Sequence, residues 1–158
     1  EKNNREHYLD EPIFLLYDSG EKDVAAFHSD HSQRIADVVF IHGLQGSFFS
    51  TWMVQQPNSD YHHVVCWPAT YLPAYLHAHG ADYPVRILSV GYHARMRKAS
   101  SPHPTLSVAE QASELRNQLE SAGIGERPVV FVTHSMGGLI VKEMLVEDSK
   151  WALAVAVT

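Results

Sequence analysis

Cysteine, basic charge and long apolar runs are all scarce in this chain of 158 residues. Its one cysteine, Cys66, excludes an internal disulfide, suits a reducing compartment and is interpreted as a small core hydrophobe. The formal net charge of −6 leaves no basic stripe to replace phosphate counterions, which argues against a nucleic-acid partner. No run approaches the roughly 18 apolar residues that a membrane-spanning helix needs.

Motifs for metals and nucleotides are also missing. Eleven histidines are present, but they form neither H-x-x-x-H nor H-E-x-x-H, and no cysteine or carboxylate cluster completes a set. The glycines form neither G-x-x-x-x-G-K-[ST] nor G-x-G-x-x-G, which excludes the nucleotide-binding loops. We therefore expect no cofactor and no metal.

Continuous apolar runs predict the strands of a sheet. They cover residues 36–43, 85–90, 128–133 and 152–157, with a shorter candidate at 12–17. Runs that are apolar on both faces suit central parallel strands, because helices cover such a sheet from both sides.

Helical patterns alternate with these strands. Ser107 and Glu110 form a capping box that begins a helix, and Gly123 follows its end. Further helices are predicted over residues 68–79, interrupted by Pro73, and over residues 137–147. The alternation predicts an α/β fold with a mostly parallel sheet and ligands at the carboxyl ends of its strands.

The strongest chemical signal is the segment 128–145, PVVFVTHSMGGLIVKEML. A buried strand runs directly into Ser135 and then into a helix, which is the arrangement of a nucleophile elbow. Gly137 supplies the small residue two places after the serine, whereas Thr133 stands where the pattern G-x-S-x-G has its first glycine. We predict that Ser135 is the nucleophile of an α/β-hydrolase. The supporting motif comprises His134, Gly137 and Gly138.

The second signal is the segment 40–52, FIHGLQGSFFSTW. His42 and Gly43 follow an earlier central strand, from which such folds supply one backbone N–H of the oxyanion hole. The other N–H belongs to the residue just past the nucleophile. We assign the hole to the N–H groups of Leu44 and Met136, and we expect the His42 side chain only to brace the loop.

The catalytic triad is incomplete in this sequence. In α/β-hydrolases the acid and then the histidine follow strands beyond the nucleophile helix, but no histidine follows His134 here. Of the upstream histidines, only His93, which follows the predicted strand at 85–90, has a position from which it could act as the base. The competing interpretation is that His93 is a surface loop residue. We expect the acid and base to lie outside this chain, which alone should be a poor hydrolase.

Neither end has the features of a native terminus. The chain begins EKNNREHYLD, without an initiator Met or an apolar signal core, and stops inside the apolar run WALAVAVT. We expect truncation at both ends, the second after the nucleophile helix. Residues 1–35 are predicted to be an N-terminal segment of the hydrolase domain or a lead-in, and residues 36–158 the N-terminal part of that domain.

Four blocks in fixed order carry a family resemblance: VVFIHGLQGSFFSTW, CWPATYLP, RILSVGY and GIGERPVVFVTHSMGGLIVKEML. On these blocks the chain resembles the serine-active-site-containing proteins of mitochondria and the endoplasmic reticulum, which are linked to phosphatidylglycerol remodelling. It is similar, more distantly, to serine esterases and lipases and to the inositol deacylases of glycolipid anchors.

The resemblance implies a cofactor-free hydrolase or acyltransferase that acts on carboxylic esters of lipids, glycerophospholipids above all, with Ser135 matching the family's serine. It also implies an intracellular protein at the mitochondrion or endoplasmic reticulum, associated peripherally with the membrane, whose substrate is a lipid or a small ester. The alternative is a catalytically inactive α/β-hydrolase fragment that serves as a scaffold or interaction module.

Overall fold

The structure is a computed structural model that describes residues 13–18, 34–56, 64–79, 84–92, 106–147, 151 and 154–157. Its strands are β1 (Ile13–Asp18), β2 (Ala36–Ile41), β3 (Met53–Gln55), β4 (Val64–Cys66), β5 (Val85–Val90), β6 (Val129–Thr133) and β7 (Ala154–Val157). Its helices are α1 (Trp67–Ala78), α2 (Val108–Ser121) and α3 (Met136–Glu147), with a short 3₁₀ helix at Ser50–Trp52. His93 lies outside the described residues.

Within the described residues, the main sheet has five strands in the order β1-β5-β2-β6-β7. Strands β5, β2, β6 and β7 run parallel, and β1 pairs antiparallel with β5 at one edge. The predicted α/β architecture with a mostly parallel sheet is confirmed. Because parallel strands end at the same edge, the segments that follow β2, β5 and β6 leave the sheet side by side.

The two faces of the sheet pack against different elements, as the alternation of side chains along a strand requires. Val39 and Ile41 of β2 lie in a buried cluster with α2 and α3. Phe40, between them, points to the opposite face and packs with Trp52 and Cys66 in a second cluster that α1 covers in part. Both sides of the central strand are therefore buried, as its continuous apolar run predicts.

The helices follow their sequence signals closely. The Ser107 hydroxyl accepts from the Glu110 N–H at 3.2 Å, and the Glu110 carboxylate accepts from the Ser107 N–H at 2.7 Å, which completes the predicted capping box. Helix α1 continues through Pro73, where an interruption was predicted. An interior proline loses one hydrogen bond and crowds the preceding turn, and the packing of Leu72 and Leu76 against the second cluster offsets this cost. Of the helices the structure describes, none is long and apolar enough to cross a membrane.

A buried ionic cluster joins the amino ends of the central strands, at the edge opposite the serine. Arg86 donates to Asp37 from Nε and Nη2 at 2.8 and 2.9 Å. Arg127 Nη1 lies 3.3 Å and 3.4 Å from the two carboxylate oxygens of Asp37. A second buried pair, Arg34 Nε to Asp18 Oδ1 at 2.9 Å, lies at the end of β1. Neither the cluster nor the Arg34–Asp18 pair was predicted from the sequence.

Candidate active site

Ser135 occupies the turn between β6 and α3 and is exposed at the carboxyl edge of the sheet. Its φ of 55° is a left-handed conformation, which costs energy in a residue with a side chain. Thr133 is the buried last residue of β6 and pairs with Ile41, and the turn forms with this threonine in the place of the pattern's glycine. The His134 N–H extends the ladder by donating to the Ile41 carbonyl at 3.0 Å.

Two glycines allow the ends of β2 and β6 to approach each other at this turn. A Cβ on Gly137 would lie 2.5 Å from the carbonyl oxygen of His42. A Cβ on Gly43 would lie 2.7 Å from both the His134 carbonyl oxygen and the Ser135 Cβ. Because real Cβ atoms do not come this close to other atoms, a side chain at either glycine would drive the loop and the turn apart.

The loop after β2 is closed by hydrogen bonds to one carbonyl. The Gly43 carbonyl accepts from the Gly46 N–H at 3.1 Å, and Gln45 between them has a φ of 58°. The same carbonyl lies 2.9 Å from Nδ1 of His42. Since a carbonyl can only accept, the ring nitrogen must be the donor, and the His42 proton therefore lies on Nδ1.

The His42 ring is buried and stacks on the ring of Tyr92, with centroids 4.4 Å apart and planes inclined by 19°. The Tyr92 hydroxyl donates to the His42 carbonyl at 2.7 Å, and the Tyr92 N–H approaches Nε2 at 3.5 Å. Burial lowers the pKa of His42 below its usual 6.5, the Gly43 carbonyl opposes this, and His134 adds to it. The imidazole is therefore neutral at physiological pH.

Tyr92 is the residue of this site that sequence analysis missed. It lies just past β5, the strand next to β2, but no short motif connects it with His42. Its place after a strand of the same sheet was the available signal, because the carboxyl ends of adjacent parallel strands meet at one edge. Burial raises the pKa of Tyr92 to about 12, so its hydroxyl stays protonated and remains a donor.

Leu44 and Met136, the predicted oxyanion donors, belong to the loop after β2 and to the start of α3. Leu44 follows the glycine that contacts the serine, and Met136 begins α3, where first-turn N–H groups lack helical acceptors. The next two N–H groups of α3 are occupied, since Gly137 donates to His134 at 3.1 Å and Gly138 to Ser135 at 3.0 Å. Among the described residues, neither the Leu44 nor the Met136 N–H donates to a backbone carbonyl.

The Ser135 hydroxyl has no base beside it in the part of the chain that the structure describes, where it makes no hydrogen bond. His134 is its exposed neighbour in sequence, and the ring of His42 is bonded to Gly43 and Tyr92 instead. Over the same residues, no three His, Cys, Asp or Glu side chains come together as a possible metal site.

A model of the Alpha/beta hydrolase family matches residues 38–157. The chain belongs to this family. Protein SERAC1 of Bos taurus is 42% identical to it over 127 residues, which are 73% of this chain and 18% of the relative. Protein SERAC1 of Homo sapiens is 41% identical over 126 residues, again 18% of its length. The resemblance to the serine-active-site-containing proteins is thereby confirmed, although this α/β-hydrolase chain spans less than a fifth of those relatives.

A solved structure with a related fold is YbtT, described as a type II thioesterase from the Yersiniabactin NRPS/PKS biosynthetic pathway. It is 21% identical, with a TM-score of 0.46 over 91% of this chain and 44% of that one. A likeness at this level carries no argument about chemistry. Membership in the hydrolase family itself supports an esterase-type role.

Proposed function

We propose that this α/β-hydrolase uses Ser135 to attack the carbonyl carbon of a carboxylic ester, while the N–H groups of Leu44 and Met136 bind the oxyanion. The contact between Gly43 and Ser135 carries the proposal, because it brings the loop after β2 against the serine turn. Negative charge develops on the ester oxygen in the transition state, so fixed N–H donors beside the serine favour acyl transfer. The bond to the ester's alcohol then breaks, the alcohol leaves, and an acyl-serine remains. Its acyl group passes to water in a hydrolase, or to a second alcohol in an acyltransferase, which frees the serine.

Lipid esters are the proposed substrates, and glycerophospholipids the proposed class, on the strength of the family resemblance. The elements that carry the proposed hole also expose apolar side chains: Phe49, 47% exposed, in the loop after β2, and Leu139, 58% exposed, in the first turn of α3. Such side chains suit contact with an acyl chain or a lipid surface. Peripheral association with mitochondrial or endoplasmic-reticulum membranes is part of the same proposal.

A general base for Ser135 must come from residues other than His42, whose Nδ1–H and Nε2 both have backbone partners. A serine enzyme without its base loses on the order of a million-fold in turnover, and keeps only what the oxyanion hole and binding supply. Covalent labelling with a reactive phosphonate is therefore a more sensitive test than turnover, because each serine has to react only once.

The experiment is fluorophosphonate labelling of the purified full-length protein, with the modified peptide identified by mass spectrometry. The expected adduct is on Ser135 and is lost in Ser135→Ala. Ser121→Ala is the matched control, since this exposed serine is the last residue of α2 and donates only to the Asn117 carbonyl. Absence of any Ser135 adduct in folded protein would overturn the proposal. Hydrolysis of short-chain esters without hydrolysis of phospholipid vesicles would remove the lipid part alone.

The alternative function is a catalytically inactive α/β-hydrolase domain that serves as a scaffold or interaction module. One observation favours it: among the described residues, no histidine is bonded to the Ser135 hydroxyl. The same labelling experiment decides between the two, because an inactive scaffold would fold normally and give no Ser135 adduct.

A further inference from the structure

The peptide unit between Gly43 and Leu44 connects the hydrogen bonds of the loop with the proposed oxyanion hole. Its carbonyl belongs to Gly43 and its N–H belongs to Leu44. In a planar trans peptide these two groups point in opposite directions. Whatever fixes the Gly43 carbonyl therefore also fixes the direction of the Leu44 N–H.

Two donors fix the Gly43 carbonyl, one from the loop backbone and one from a buried side chain. The Gly46 N–H, at 3.1 Å, lies in the same loop, so this bond shapes the turn without attaching it to the sheet. The Nδ1–H of His42, at 2.9 Å, belongs to a side chain that is only 2% exposed and is packed below the loop. The imidazole is therefore the donor that can fix the orientation of the Gly43 carbonyl relative to the sheet.

Tyr92 in turn fixes His42 through three contacts, one with its backbone carbonyl and two with its imidazole. Its hydroxyl donates to the His42 carbonyl at 2.7 Å, its ring stacks on the imidazole at 4.4 Å, and its N–H faces Nε2 at 3.5 Å. A backbone N–H can only donate, so it requires an Nε2 without a proton. It thereby selects the same tautomer that the Gly43 carbonyl needs, with the proton on Nδ1.

We infer that Tyr92 and the His42 imidazole are positioning residues that fix the direction of the Leu44 N–H beside Ser135. Tyr92 acts on His42, His42 acts on the Gly43 carbonyl, and neither side chain touches the ester. The catalytic meaning of this arrangement rests on the proposed function, but the orientation of the N–H does not. The two can therefore be tested separately.

The orientation is tested by residual dipolar couplings, which report the direction of each backbone N–H in isotope-labelled, weakly aligned protein. Asparagine places its amide nitrogen near the position of Nδ1, whereas glutamine places its own near Nε2. The Leu44 coupling should therefore be retained in His42→Asn and changed in His42→Gln and in Tyr92→Phe. The couplings of β2 and β6 serve as the internal control for an intact sheet.

Two results would overturn the orientation. The first is a Leu44 coupling that stays the same in wild type, His42→Gln and Tyr92→Phe. The second is a nitrogen spectrum in which Nε2 of wild-type His42, and not Nδ1, carries the proton. If His42→Gln fails to fold, Tyr92→Phe alone decides, because it removes one hydroxyl and keeps both the stacked ring and the backbone N–H.

The catalytic consequence is tested by the rate at which fluorophosphonate labels Ser135. Misalignment should cost part of the 10²–10³ that a whole oxyanion donor is worth, so we expect about a tenfold slower rate in His42→Gln and Tyr92→Phe. His42→Asn should label about tenfold faster than His42→Gln, which a loss of packing alone would not produce. Equal rates in wild type and His42→Gln would overturn the positioning role. If wild-type Ser135 is not labelled at all, the proposed function fails, and the dipolar couplings still decide the orientation.

Discussion

Gly43 lies so close to Ser135 that a Cβ on the glycine would be 2.7 Å from the Cβ of the serine. The contact follows from the sheet, in which β2 and β6 are adjacent and parallel with Ile41 opposite Thr133. Both strands therefore end at the same level, and the loop that follows one meets the turn that follows the other. A shift in the pairing of these strands would separate the proposed oxyanion donors from the serine.

Gly43→Ala should impair the proposed chemistry more than the fold. The new Cβ has no room between the loop and the turn, so the Leu44 N–H moves away from Ser135. We expect Ser135 labelling to slow by about 10²–10³, the usual worth of one oxyanion donor. The measurement is the labelling rate, accompanied by the free energy of unfolding in urea.

Gly123→Ala is the control for this substitution. Gly123 has a φ of +68°, so alanine is strained there, but the nearest atoms to its Cβ are 3.6 Å away and belong to Glu126. This variant should lose stability and keep the labelling rate of the wild type. Wild-type labelling in a folded Gly43→Ala would contradict the assignment of Leu44 to the hole.

The sequence predicts the parts of this site that depend on local patterns. The central strands are recognisable because they are apolar on both faces, and the capping box places α2 within one residue. Gly43 could be chosen because it ends one predicted strand run, and Gly137 because it lies two residues after the serine that follows another. Ser135 could be chosen because the same strand leads directly into a helix.

Other features depend on contacts between distant residues, which no local pattern reveals. Tyr92 meets His42 only because β5 lies beside β2. Asp37 and Arg86 are each the second residue of neighbouring strands and resemble exposed charges until the strands are paired. Strands β3 and β4 have three residues each, which is too short for a pattern of alternating polarity.

Asp37→Asn should destabilise the fold strongly. The carboxylate of Asp37 is fully buried and compensates the charges of Arg86 and Arg127. Removing one partner of a buried ion pair leaves an uncompensated charge and costs about 3–5 kcal/mol. The measurement is the free energy of unfolding in urea.

Glu126→Gln is the matched control, because it makes the same chemical change in a side chain that is 65% exposed and 3.9 Å from Arg127. Exposed ion pairs contribute at most about 1 kcal/mol, so this variant should unfold almost as the wild type does. Equal losses of stability in the two variants would show that the cluster of Asp37, Arg86 and Arg127 is not a buried network.

The buried imidazole of His42 should make the fold less stable in mild acid. Folding lowers its pKa below 6.5, so the unfolded chain binds the proton more tightly than the folded chain. The stability that the neutral ring contributes is complete above pH 6.5, declines as the pH falls below that value, and stops declining below the folded pKa.

His42→Asn isolates this effect, since asparagine does not titrate and the other ten of the eleven histidines are common to both proteins. The quantity to follow is the difference between the two free energies of unfolding, from about pH 7.5 to about pH 4.5. We expect the wild type to lose stability relative to the variant as the pH falls. A difference that is independent of pH would mean that the pKa of His42 is the same in the folded and the unfolded chain.

The left-handed backbone of Ser135 predicts an unusual order of stability among variants that lack its hydroxyl. At a φ of 55°, alanine bears the same conformational cost as serine, about 1–2 kcal/mol, whereas glycine bears almost none. Glycine loses about 0.5–1 kcal/mol of this gain, because its unfolded chain is more flexible. Ser135→Gly should therefore be more stable than Ser135→Ala by about 0.5–1 kcal/mol.

Ser113 provides the comparison, because it is an exposed serine in the middle of α2, where the backbone is helical. There the order must be reversed, with Ser113→Gly about 1 kcal/mol less stable than Ser113→Ala. Urea unfolding of all four variants gives both differences in one experiment. If alanine is also the more stable replacement at position 135, the serine is not held in a left-handed turn. If glycine is the more stable replacement, Ser135 is held in a backbone conformation that costs stability. Such strain is found preferentially at functional sites, which agrees with the proposed role of Ser135 as the nucleophile.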